Sequence, residues 1–86
     1  MRIEKKTWPE YFQLIVDGTK KIEFRLADFD VKENDELVLK EWDPKTKDYT
    51  GREIVKKVTY VLRSDEITFC SKEDLGEHGF QVIQFD

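Results

Sequence analysis

A change of hydrophobic period at Gly18 is what most constrains how this chain can fold. Before it, Trp8, Tyr11, Phe12 and Ile15 recur at i, i+3, i+4 and i+7, the spacing that gathers side chains on one face of a helix. After it, Ile22, Phe24 and Leu26 alternate with Lys21, Glu23 and Arg25, the period-two pattern of a strand with one apolar and one charged face. Thr7 followed three residues later by Glu10 fits a capping box. Pro9 suits a first turn, and Gly18 supplies a left-handed stop. The expected helix therefore covers residues 7–17. At about three turns it is too short to persist alone, so its aromatic face is expected to pack on a sheet, Trp8 included.

The remainder reads mainly as strands. Residues 2–6 form a short one anchored by Ile3. Asn34-Asp35 is a turn pair before a strand at residues 36–42, with Val38 and Trp42 on one face and Leu37 and Leu39 on the other. The turn chemistry of Asp43-Pro44-Lys45-Thr46-Lys47-Asp48 leads through Tyr49 into a long strand at about residues 53–62, a hairpin. Apolar residues on both faces of its second half suggest burial on both sides or curling into a barrel, with Tyr60 expected in the core. In residues 63–79, Ile67, Phe69 and Leu75 are the expected anchors, with a helical turn starting at residues 71–74. Residues 80–85 close the chain as a last strand. The expectation is a single mixed α+β domain over residues 1–86, mainly β: a small, partly open barrel with one amphipathic helix near the N-terminus.

Size and charge narrow the functions available. At 86 residues there is room for one domain, and 13% aromatic content compensates for a hydrophobic fraction of 38%. One cysteine, Cys70, and one histidine, His78, argue against a disulfide framework or a metal centre, so neither metal nor cofactor is expected. Cys70 reads as a packing residue and His78 as an exposed turn residue. No apolar run resembles a signal peptide or a membrane span, which points to the cytoplasm. A net charge of −4 disfavours duplex DNA, whose binding needs a broad cationic surface. Yet Lys5, Lys6, Lys20, Lys21 and Arg25 all fall in the first 25 residues, which leaves room for a local basic site. On the charged face of the second strand a carboxylate would orient its neighbouring cations toward a phosphate or a polar base edge. The alternative is a solvated edge strand whose alternating charges deter aggregation.

The segment Gly18-Thr19-Lys20-Lys21-Ile22-Glu23-Phe24-Arg25, preceded by Pro9-Glu10-Tyr11-Phe12, resembles the signature of the ASCH superfamily, whose members share a PUA-like barrel. Residues 37–43 and 49–54, and the closing Gly79-Phe80-Gln81-Val82-Ile83, are similar to a short bacterial and phage branch of that superfamily with no assigned function. The resemblance implies a PUA-like fold, a cleft lined by Lys20, Glu23 and Arg25, and binding of RNA or a nucleotide. Lys20 and Glu23 differ in parity, so they meet only if the chain bends or bulges just after Gly18. Tyr49, at the hairpin tip, is the aromatic expected to be exposed for stacking on a base. Some ASCH-like proteins are enzymes, among them an amidohydrolase acting on acetylated cytidine and a ribonuclease. The amidohydrolase pattern keeps the Lys matched by Lys20 but places a Thr nucleophile where Glu23 stands. A hydrolase of a modified nucleoside or of RNA would then rest on Lys20 and Glu23, though a carboxylate neutralised by cations is a poor base. A third expectation is a protein-interaction domain that docks through the charged strand.

Overall fold

The computed structural model describes residues 1–64 and 79–86, in which one short helix accompanies five strands. The expectations for Ile67, Phe69, Cys70, the turn at residues 71–74, Leu75 and His78 lie outside those residues. The elements are β1 (Arg2–Thr7), α1 (Pro9–Val16), β2 (Ile22–Leu26), β3 (Glu36–Asp43), β4 (Asp48–Arg63) and β5 (Phe80–Phe85).

The strands form one mixed sheet in the order β1-β3-β4-β5-β2. β1 runs parallel to β3, in register Lys6 with Lys40, and every other neighbouring pair is antiparallel. β4 is 16 residues long and belongs to both halves of the sheet. Its first part pairs with β3 and its second with β5, and its register shifts between Val58 and Tyr60. The sheet is not closed. β1 and β2 are its two terminal strands, and among the described residues neither forms a backbone ladder with the other.

The core gathers Ile15 of α1, Val31, Leu37 and Leu39 of β3, Val58 of β4, and Ile83 and Phe85 of β5. Val38 is buried as well, so β3 is covered on both faces at its centre. Phe12 is buried beneath the Arg52 guanidinium, which sits 4.8 Å from its ring centroid. Arg52 pairs with the buried Glu41 at 3.2 Å, and the Thr50 hydroxyl donates to the same carboxylate at 2.6 Å. Gln81, fully buried in β5, donates through Nε2 to the Phe29 carbonyl at 3.2 Å and accepts from Arg63 through Oε1. A polar side chain is tolerated there because each end of its amide has a partner.

Four expectations need correction. The helix starts at Pro9 rather than Thr7, and Trp8 is its N-cap, with extended backbone (φ −67°, ψ 151°) and no side-chain capping bond. Thr7 belongs to β1, its hydroxyl turned toward Arg25 rather than toward the helix start. Trp8 and Tyr11 are half-exposed, so only Phe12 and Ile15 of the aromatic stripe face the interior. In β2 the faces are inverted: Ile22, Phe24 and Leu26 are 48%, 66% and 63% exposed, while Glu23 is 4% exposed. Tyr60 is half-exposed rather than core.

Candidate functional site

The end of α1 determines where the site begins. Gly18 takes φ +79°, a left-handed conformation that a Cβ would strain. Its N–H donates to the Ile15 carbonyl, and the Thr19 N–H donates to the Leu14 carbonyl, the paired bonds of a Schellman motif. The Lys20 N–H also donates to the Leu14 carbonyl at 3.0 Å, so the chain is still tied to the helix one residue further on. β2 starts only at Ile22. Lys20 therefore precedes the strand, its parity with Glu23 imposes nothing, and no bulge is needed to bring the two together.

They do meet. Lys20 Nζ donates to Glu23 Oε1 at 2.5 Å, and Arg25 Nε donates to Glu23 Oε2 at 2.8 Å. Each carboxylate oxygen accepts from a different cation, which is what allows an ionised side chain to be buried at this depth. Arg25 reaches further. Its Nη2 donates to the Lys6 carbonyl at 2.6 Å and lies 3.5 Å from the Thr7 hydroxyl, so one guanidinium spans the gap between the two terminal strands of the sheet. A planar fork of donors suits this span in a way an ammonium would not.

Along that seam opens a cleft of about 650 Å³. Lys6, Thr7, Trp8 and Tyr11 form one wall, and Lys20 with Ile22 to Arg25 form the other. The Lys20 ammonium lies 5.3 Å from the Tyr11 ring centroid, between a carboxylate and an aromatic face. Phe24 stacks on Phe80 with centroids 4.8 Å apart and remains largely exposed. The chemistry of the cleft is thus a small cationic group held by a buried carboxylate, between flat apolar surfaces.

The structure brings Lys20, Glu23 and Arg25 together and leaves Lys21 exposed, away from the cluster. Tyr49 lies outside this cleft. It lines a neighbouring depression with Glu4, Lys5, Lys6, Arg25 and Lys40, and the Lys6 ammonium is 4.8 Å from the Trp42 centroid and 6.0 Å from that of Tyr49. Sequence reasoning missed Trp8, Tyr11 and Phe24 as cleft residues because large aromatics default to the core. One available signal was Pro9: a residue before Pro takes extended backbone, which turns Trp8 off the helical face.

Two comparisons bear on what the chain is similar to. Residues 4–76 match the profile of a family described as a domain of unknown function (DUF3850). Over 58 residues the chain is 36% identical to a protein of Escherichia phage P2, named as an uncharacterized 12.9 kDa protein in the GpA 3′ region. That alignment covers 67% of this chain and 51% of the phage protein, so the chain spans about half the length of that relative.

Proposed function

The chain belongs to the DUF3850 family, and from the geometry of its cleft we propose that it is a small RNA- or nucleotide-binding module. The observation that carries this reading is the buried Glu23 carboxylate, bonded by Lys20 and Arg25, on the wall of an open cleft lined by exposed aromatics. Three cations, Lys6, Lys20 and Arg25, line that cleft against one carboxylate, in a chain whose net charge is −4. A local positive site on an acidic protein suits a single phosphate group better than the long charged track of a duplex. Lys20 spends one of its three donors on Glu23, and the ammonium has two more to offer an anion. Trp8, Tyr11 and Phe24 supply flat surfaces on which a base can stack.

The resemblance to the ASCH superfamily supports the same reading. A PUA-like barrel, partly open where β1 and β2 face each other, is the architecture we propose for it. The hydrolase reading gains no support, because both Glu23 oxygens already accept from cations, which favours an anchoring carboxylate over a proton acceptor.

The test is titration of the protein at low salt with nucleoside monophosphates and a panel of single-stranded and structured RNAs, followed by calorimetry. Binding should weaken with added salt, and Lys20→Ala should lower affinity at least about tenfold, the worth of a hydrogen bond to a charged group. Circular dichroism must show that the variant remains folded. Absence of binding by the wild-type protein across the panel would sink the reading.

A further inference from the structure

The cleft and the depression beside it share two lining residues, Lys6 and Arg25. They are therefore adjoining parts of one surface, separated by the saddle where Arg25 crosses from β2 to the Lys6 carbonyl. Beyond the saddle the surface continues across the sheet. Lys6 is in register with Lys40 on β3, and Trp42 of β3 is in register with Tyr49 on β4. At the far end stands Tyr49, half-exposed at the start of β4.

Charge follows the same path. The cleft and the depression together carry the charges of Lys6, Lys20, Arg25 and Lys40 against Glu4 and Glu23; Lys5 also lines the depression, but its ammonium sits over the Phe29 ring, 3.7 Å from the centroid. Four cations against two carboxylates give this strip a local charge of opposite sign to the chain's −4. Glu4 is held by Lys40, as Glu23 is held by Lys20 and Arg25, so each acid on the path is already neutralised. Aromatic surface lies at both ends, Trp8 and Tyr11 in the cleft and Tyr49 beyond the saddle, with cations between. This alternation is what a single strand presents in complement: a base, its phosphate, then another base.

Resting on the nucleotide-binding reading of the cleft, we propose that the ligand is a single-stranded oligonucleotide, and that Tyr49 forms a second base-stacking subsite joined to the cleft by the Lys6–Arg25 saddle. The strand runs across β1 and β3 rather than along them, with its phosphates over the cations and one base at each end of the strip.

Fluorescence anisotropy with labelled oligouridylates and oligothymidylates, from one to about eight nucleotides, tests this. The proposal expects affinity to rise with length up to the span of the two subsites and then level off. In Tyr49→Ala the ratio of oligonucleotide to mononucleotide affinity should fall by about 5- to 150-fold, as loss of one stacked base implies, and Tyr49→Phe should restore it. Comparison of the ribo and deoxy series identifies which sugar the strip accepts. If mononucleotides bind in a Lys20-dependent way but added length brings no gain and Tyr49→Ala leaves the ratio unchanged, the second subsite is overturned while the cleft reading stands. If wild-type protein binds neither, both fall.

Discussion

Glu23 is the residue on which the cleft depends. Its burial is tolerable only while Lys20 and Arg25 each hold one of its oxygens. Glu23→Gln places an amide N–H₂ against a cation and breaks one of those bonds. Its expected cost is about 1–3 kcal/mol, read from the urea midpoint, and an unchanged midpoint would mean the pair is idle in the folded state. Asp35 is a second buried acid, with a different partner. A hydrogen bond from the Met1 ammonium holds its carboxyl below the ordinary value; burial opposes this, and the Lys32 N–H reinforces it. A depressed folded value stabilises the fold above the unfolded value, and that contribution disappears as pH falls through the folded one. Stability should therefore decline on acidification, and Asp35→Asn should flatten that decline while lowering stability at neutral pH. Urea midpoints of both proteins at neutral and acid pH check this.

At the scale of elements, the turn after α1 sets the position of Lys20. The left-handed Gly18 and the Schellman bonds aim the chain so that the Lys20 N–H still reaches the Leu14 carbonyl. Nothing lies within 4 Å of a Cβ built at Gly18, so Gly18→Ala tests conformation alone. The expected loss is about 1–2 kcal/mol of stability, together with weaker nucleotide binding, although residue 18 does not line the cleft. Unchanged affinity would mean that Lys20 finds its place without the turn. Gly18 was legible in the sequence, as was the alternation of β2, but that alternation groups Glu23 and Arg25 with Lys21, and only the resemblance to the ASCH signature pointed to Lys20 in its place. The inside and outside of β2 were not. Apolar alternation assigns Ile22, Phe24 and Leu26 to the core, and only the arrival of Lys20 and Arg25 makes it cheaper to bury Glu23 instead. A period-two pattern fixes which residues share a face but not which face is wet. The parallel pairing of β1 with β3 was hidden for another reason, since residues distant in sequence meet there without a connecting turn to announce them.

Over the whole molecule, the five strands make one open sheet. β1 and β2 stand at its two ends with the cleft between them, and β4 lies midway along the order. The register shift at Val58 and Tyr60 falls in that middle strand, where the half built with β3 passes into the half built with β5. A strand bends and twists more strongly at such an irregularity. Arg25, anchored on Glu23 and reaching the Lys6 carbonyl, ties the two terminal strands together across that cleft, so the open edge of the sheet is bridged by a side chain where, among the described residues, no backbone ladder joins it.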